Sequence, residues 1–356
     1  MNNKKKILFV NGNQFGYSSG HYYYCKYLKD KFEVEYLCYD RGYKKMLIDG
    51  VKVSYIPFSK NKIKRAINFI RISVSRSKEL QPDSLFVVYF NFSFILALFC
   101  SAKLKILDIR TGSLAHSNIY RLLENTLIYV QTVFYPRVII LSESLRKRLH
   151  IRKEKTIIMP LGSEIYYSGI HDFGSMSLLY VGGLARKIYQ TIEGIEIFLE
   201  NYPEYKPYLT YTIVGYGSPM DEKKITDTIL KCNLKSFISF EGFKNYEELA
   251  PYFQNHNFGV AYVPITKYFD IQPTTKIFEY ALSGLFTIAT DTYENRRIVN
   301  KTNGILCEDN PKSFAIALKT CFELRHTIYS ETIRDSLKDN EWRILVQSQL
   351  YPFIFK

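Results

Sequence analysis

Leu178-Leu179-Tyr180-Val181-Gly182-Gly183 runs directly into Leu184-Ala185-Arg186-Lys187: an apolar strand, a glycine pair, then two cations. Glycines let a backbone approach a ligand closely, and adjacent cations neutralise a diphosphate. The same residues also suit an ordinary strand-to-helix turn with solvated cations. Two further strands end alike, at Ile213-Val214-Gly215-Tyr216-Gly217 and at Phe240-Glu241-Gly242-Phe243-Lys244. Three glycine turns of one sheet fall along a single carboxyl edge, where open α/β sheets bind ligands.

A second group lies in Asp270-Ile271-Gln272-Pro273-Thr274-Thr275-Lys276-Ile277-Phe278-Glu279-Tyr280-Ala281-Leu282-Ser283-Gly284. Pro273, Thr274 and Thr275 suit a helix start, whose amides and positive dipole end attract phosphate. Glu279 follows further into that helix, where a carboxylate can accept hydrogen bonds from ribose hydroxyls or simply favour its own helix dipole. A third group, Asp108, Arg110 and His116, sits at and beyond the carboxyl end of a strand in the first half. These residues can handle a proton or orient an acceptor, and Asp108 and Arg110 can equally pair with each other.

Positioning such groups takes two parallel sheets. Short apolar strands alternate with helical stretches throughout, so the chain reads as α/β. In the first half strands are predicted at Lys6 to Val10, Val34 to Tyr39, Lys52 to Ile56, Leu85 to Tyr89, Lys105 to Asp108, Val138 to Leu141 and Thr156 to Met159. In the second they are predicted at Met176 to Val181, Tyr208 to Val214, Ile238 to Glu241, Phe258 to Tyr262, Phe286 to Thr290 and Gly304 to Cys307. The expected division is an N-terminal domain over residues 1–168, a second over 169–335 and a terminal helix over 336–356. A chain of 356 residues favours two cores over one.

From Lys60 to Lys78, Ile63, Ile67, Ile70 and Val74 share one helical face, beside a stripe of Lys60, Lys64, Arg71 and Lys78. That helix either docks on its own sheet or lies on an anionic membrane. Leu85 to Cys100 is the most apolar stretch, yet it falls short of the roughly 20 residues of a membrane span and reads as a strand and a helix. The formal charge of +14 favours anionic partners. Nucleic acid is disfavoured, because no dense basic block, zinc-finger spacing or ribonucleoprotein aromatic signature is present. Six scattered cysteines without a C-x-x-C pair suggest neither a zinc site nor a redox motif and fit a reducing cytoplasm.

Taken in order, Tyr180-Val181-Gly182-Gly183-Leu184 with Arg186-Lys187, Ile213-Val214-Gly215-Tyr216-Gly217, Phe240-Glu241-Gly242-Phe243 with Glu248-Leu249, and Pro273 to Gly284 resemble the donor domain of the group 1, or family 4, glycosyltransferases. The likeness continues through Thr287 to Thr290 and Asn303 to Leu306. It implies the GT-B fold, two Rossmann-like parallel-sheet domains facing across a cleft, with a nucleoside diphosphate sugar, UDP- or GDP-linked, as co-substrate and no other cofactor. It further implies that Arg186 and Lys187 hold the donor diphosphate, with Gly182, Gly183 and Gly215 lining the edge. Thr274 and Thr275 would meet phosphate, Glu279 ribose, and Gly242, Phe243 and Lys244 the nucleobase. The family's acidic residue eight positions before the second glutamate is here Ile271, so Asp270 or Gln272 takes the sugar contact. The loop Asn11 to Gly20 is similar to one that lies beside donor phosphates and acceptor, which makes Gly20 a donor-site candidate.

The resulting expectation is a retaining, metal-independent transfer of a sugar to a hydroxyl of a glycan or lipid-linked acceptor in cell-surface polysaccharide synthesis, in the cytoplasm or at the inner membrane face. Asp108, Arg110, Arg186 and Lys187 are its catalytic candidates, and no metal ligand is assigned. A nucleotide-sugar 2-epimerase of the same fold and a basic nucleic-acid-binding protein are the competing readings.

Overall fold

The structure is a computed structural model that describes residues 4–113, 115, 117–245, 248–267 and 269–355, and of Ser19 the backbone alone. His116 lies outside the described residues. The chain forms two compact units, Met1–Pro160 with Trp342–Lys356, and Leu161–Glu341. These limits differ from the expected 168 and 335. Residues 161–175 bind within the second unit, where the His171 amide donates to Ser330 Oγ and Asn257 Nδ2 donates to the carbonyls of Asp172 and Ser175.

The first unit holds β1 (Lys5–Asn11), β2 (Phe32–Asp40), β3 (Val51–Pro57), β4 (Ser84–Val88), β5 (Leu104–Ile109), β6 (Arg137–Ile140) and β7 (Thr156–Ile158). They form one parallel sheet in the order β3-β2-β1-β4-β5-β6-β7. Helices cover both faces of a parallel sheet, so central strands read as unbroken apolar runs, and Ile7 to Val10 is fully buried. Its helices are α1 (Ser19–Leu28), α2 (Lys62–Leu80), α3 (Phe94–Phe99), α4 (Asn118–Thr132) and α5 (Glu143–Arg148). Helix α2 docks through Phe69, Ser73 and Ser77, which leaves Ile63 and Ile67 in solvent. The apolar stretch from Leu85 becomes β4 and α3, and no described helix is long and apolar enough to cross a membrane.

The second unit holds β8 (Met176–Gly183), β9 (Leu209–Tyr216), β10 (Ile238–Phe240), β11 (Phe258–Ala261), β12 (Phe286–Thr290) and β13 (Gly304–Cys307). They form a second parallel sheet, in the order β10-β9-β8-β11-β12-β13. Around it lie α6 (Tyr189–Asn201), α7 (Pro219–Lys231), α8 (Ala250–Asn255), α9 (Thr275–Leu282), α10 (Pro311–Leu324) and α11 (Ser330–Leu337). In each sheet the strand order reverses once, at β1 and β4 in the first and at β8 and β11 in the second. Such a switch point opens a crevice beyond the carboxyl ends of the strands.

The chain ends in α12 (Trp342–Leu345), one π-helical stretch (Val346–Leu350) and α13 (Tyr351–Phe355), all within the first unit. Trp342 is buried there between Tyr23 and Tyr24 of α1, with ring centroids 5.9 and 5.8 Å away. Gly20 lies under the same ring, since a methyl group built on it would stand 3.4 Å from the indole.

Beneath this aromatic layer a buried polar chain fixes the loop between β1 and α1. Ser18 Oγ lies 2.5 Å from His21 Nδ1, and His21 Nε2 lies 2.5 Å from Asp108 Oδ2 at the end of β5. The same Oδ2 accepts from Arg110 Nε at 2.8 Å, while Arg110 also donates to the Met159 carbonyl and the Tyr24 hydroxyl. Burial alone would raise the Asp108 pKa, but the Arg110 guanidinium and His21 hold it below the usual carboxylate range. Burial lowers that of His21. An ionised Asp108 therefore accepts from a neutral ring protonated at Nε2, which leaves Nδ1 to accept from the Ser18 hydroxyl.

Both groups bind fewer protons folded than unfolded, so acid weakens the fold, from about pH 6.5 downward for His21 and from about 3.8 for Asp108. The urea midpoint of the wild type is expected to fall steadily as pH drops below 6.5. Asp108→Asn strands the Arg110 charge and is expected to cost about 3 kcal/mol at neutral pH. A midpoint constant between neutral and mildly acidic pH, or an Asp108→Asn variant as stable as the wild type, would contradict this network.

Candidate functional site

The second sheet opens at its switch point because β8 and β11 pair only at Leu178 with Phe258 and at Leu179 with Gly259. Beyond those pairs the strands part, and Tyr280 of α9 fills the gap. Its hydroxyl accepts from the Val181 amide at 3.0 Å and donates to the Val260 carbonyl at 3.3 Å. The ring lies so close to Gly259 that any added Cβ would stand 2.2 Å from it. Helix α9 is thereby seated over the crevice by one residue, with Ile277, Phe278 and Ala281 completing the anchor in the core.

Thr274 is the N-cap of α9, in extended backbone with φ −89° and ψ 132°. A threonine here usually accepts from an amide one turn on. In this chain its hydroxyl makes no such bond, is buried, and has no partner among the described residues. A buried hydroxyl without a partner costs free energy unless a ligand meets it. Glu279, one turn further along, is also buried, and Lys276 Nζ lies 2.7 Å from its Oε2. Lys276 reaches the glycine pair as well: a Cβ on Gly182 would stand 3.6 Å from Lys276 Cε.

At the end of β8, Gly182 has φ +158° and Gly183 faces open space, with nothing within 4 Å of a built Cβ. Tyr180 donates to the Gly183 carbonyl at 2.6 Å and holds the turn. Gly215 serves packing, since a Cβ there would lie 2.1 Å from the Gly182 carbonyl oxygen. Arg186 is half-buried, its guanidinium 5.6 Å from the centre of the Phe269 ring. Lys187 occupies the left-handed region at φ 59°, and its ammonium lies 2.8 Å from Asp309 Oδ2. Asp309 also accepts from the Ile265 amide at 3.0 Å and from the Tyr262 hydroxyl at 3.2 Å. One carboxylate thus ties the turns after β8, β11 and β13 together.

The turn after β10 places Gly242 at φ +66° with Phe243 exposed and Lys244 half-buried. Phe243 and Tyr216 stand edge to face at 5.8 Å, two exposed aromatic rings beside the glycine turns. Asp270 is turned to an internal task, accepting from the Tyr293 amide at 2.8 Å, and Gln272 and Thr275 are half-buried beside it in sequence. In the first unit Asp108 is fully enclosed, whereas Arg110 keeps 20 % of its side chain in solvent. Gly20 packs on Trp342 at a distance in sequence that no local pattern signals.

The crevice of the second unit thus gathers Gly182, Gly183, Thr274, Lys276 and Glu279. Lys276 and Asp309 had no assigned role in the sequence. Lys276 sits within the quoted helix start, one turn before Glu279, and that spacing is a usable signal. Asp309 lies 122 residues from Lys187 and leaves none.

Residues 175–323 match the family Glycosyl transferases group 1. A search of the curated proteins finds no match. Among solved structures the chain is similar to a glycosyltransferase from Rickettsia africae, with 15% identity, TM-score 0.73 and 99% of each chain covered. It is similar to HepE of Anabaena in complex with UDP and glucose, with 14% identity, TM-score 0.73 and 99% and 100% covered. Sucrose-phosphate synthase from Thermosynechococcus elongatus gives 15% identity, TM-score 0.71 and 99% of each chain. At such identities the likeness carries the fold, and the family match carries the second unit. Residues 175–323 of the second unit thus carry the match to the group 1 glycosyl transferases, and the chain as a whole has the GT-B fold.

Proposed function

We propose that this enzyme moves a sugar from a nucleoside diphosphate donor, UDP- or GDP-linked, to a hydroxyl of a glycan or lipid-linked acceptor in cell-surface polysaccharide synthesis. It works at the cytoplasmic face of the membrane and retains the anomeric configuration. The observation that carries the donor site is the buried, unpartnered Thr274 hydroxyl at the start of α9. A diphosphate oxygen there would satisfy that hydroxyl and lie at the positive end of the helix dipole. Support for a UDP-linked donor comes from the Anabaena structure, which holds UDP and glucose.

In this reading Glu279 accepts from the ribose hydroxyls, its side chain held by Lys276. Arg186, Lys187 and Lys276 surround the diphosphate with positive charge as it departs, and charge already in place stabilises a leaving group without reorganisation. The scheme needs no metal ion, because these cations take the negative charge. Gly183 leaves room for the donor to reach the backbone, and Phe243 and Tyr216 offer ring surface to the base. Gly242, Lys244 and Gly215 shape that edge, and Asp270 or Gln272 faces the sugar. At the first sheet Arg110 meets the acceptor, while Asp108, enclosed, acts as a positioning residue through Arg110 and His21.

Thermal unfolding with a panel of nucleoside diphosphates and their sugars tests the donor site, since a ligand of the folded state raises the midpoint. A rise with one base is expected, and no rise with any would overturn the proposal. Glu279→Ala, or Arg186→Ala with Lys187→Ala, is expected to abolish that rise in protein that still folds, although loss of the Lys276 or Asp309 partner lowers the unliganded midpoint; an unchanged shift in both would remove these residues from the site. Thr274→Val separates ligand contact from packing. It removes an unsatisfied hydroxyl at constant shape, so the unliganded protein should be as stable as the wild type or more so, while donor affinity drops about tenfold, the equivalent of one lost hydrogen bond. Equal donor affinity in Thr274→Val would show that the hydroxyl faces no ligand.

A further inference from the structure

Helix α4 is inside out. At 100° per residue, Arg121, Asn125, Ile128, Gln131 and Thr132 fall on the face turned to the sheet, and three of these, Ile128, Gln131 and Thr132, are its only buried residues. The opposite face carries Ile119, Leu122, Leu123, Leu127 and Val130, and the chain continues into Val133. All six are exposed, Ile119 by 72 % and Leu122 by 68 %. Amphipathic helices ordinarily turn their apolar stripe to the core, and a continuous exposed apolar stripe marks an interaction surface.

The polar face is what holds the helix. Gln131 Oε1 accepts from Ser93 Oγ at 2.9 Å, Asn125 Oδ1 accepts from the Ser113 amide at 2.9 Å, and the Tyr135 hydroxyl, just past the helix, donates to the Ser93 carbonyl at 2.7 Å. Phe94 of α3 meets Phe134 at 5.2 Å. On its other side α3 adjoins α2, where Ser77 Oγ donates to the Ser101 carbonyl at 2.9 Å. Helices α2, α3 and α4 are therefore neighbours on one face of the sheet. Along α2, the exposed Ile63 and Ile67 are interleaved with exposed Lys62, Lys64 and Arg71, and the exposed Lys60 lies just before the helix. That helix carries six basic residues and one acidic.

We infer that this three-helix face docks on an anionic lipid bilayer, with the outward stripe of α4 entering the interface and the α2 cations meeting lipid phosphates. Apolar side chains beside lysine and arginine on helices lying along a surface are what an interfacial site requires. A second copy fits worse, because it brings the same net positive charge to the contact, whereas an anionic bilayer supplies the opposite charge. The inference gives a surface to the membrane location proposed above, and its test does not depend on sugar transfer.

Flotation of the full chain with vesicles of phosphatidylcholine and phosphatidylglycerol in equal parts, and with phosphatidylcholine alone, reads the contact directly. The wild type should bind the anionic vesicles at least tenfold more tightly than the neutral ones. Leu123→Glu with Val130→Glu, and separately Lys64→Glu with Arg71→Glu, should each weaken that binding at least tenfold. All four positions are exposed, so nucleotide-induced thermal shifts should match the wild type in both variants; this readout also separates a failure of the docking surface from a failure of the donor site. No binding to anionic vesicles, equal binding by either double variant, or a concentration-dependent dimer in sedimentation that Leu123→Glu with Val130→Glu abolishes while vesicles stay unbound, would overturn the inference.

Discussion

The parting of β8 from β11 is the constraint on which the crevice of the second unit depends. At the switch point the loops leave adjacent strands in opposite directions, and where β8 and β11 cease to pair, the backbone groups along the gap must be satisfied. Tyr280 meets that need from the side, with one hydroxyl between the Val181 amide and the Val260 carbonyl. Because the ring must lie flat over β11, position 259 accepts only glycine. Because Tyr280 is fixed, Thr274, Lys276 and Glu279 are carried to fixed places on the same short helix. The crevice is thus set by a packing requirement of the sheet before any ligand arrives.

Electrostatic preparation follows the same pattern. Lys187 is paired with Asp309 and Lys276 with Glu279, each at hydrogen-bond distance, and Arg186 lies against an aromatic ring. Isolated cations on flexible side chains would lose much freedom on meeting a diphosphate. Here that loss is largely incurred on folding. The left-handed backbone at Lys187 belongs to the same arrangement, for a non-glycine residue at positive φ is retained only where surrounding contacts enforce it. Asp309 supplies those contacts by binding three turns at once.

Much of this was legible in the residues themselves. Strands buried on both faces must be continuous apolar runs, so Ile7 to Val10 and Phe286 to Thr290 announce themselves, and glycine turns mark their carboxyl ends. Thr274 and Glu279 were legible because a helix start has a local signature. Asp309 was not, since a carboxylate 122 residues from its lysine leaves no local trace. Nor was the role of His21: its partner Asp108 comes from β5, 87 residues on. Asp270 shows a tertiary contact added to a local pattern. A local pattern nominates it for the sugar, while the tertiary structure gives one of its oxygens to the Tyr293 amide.

Helix α4 shows why periodicity alone does not tell which way a helix faces. An amphipathic pattern fixes an axis between two faces, and the usual inference that the apolar one turns inward rests on burial being the dominant favourable term. Along α4 the sheet side offers Ser93, the Ser113 amide and the Tyr89 hydroxyl, which Gln131 and Asn125 satisfy. Turning the leucines inward would bury those groups unsatisfied, at a cost comparable to the gain from burying the side chains. Polar pairing beneath the helix therefore selects the orientation, and the apolar stripe is left for another medium. In a chain of net charge +14, with cations concentrated on the adjoining α2, an anionic bilayer supplies both the apolar layer and the counter-charge.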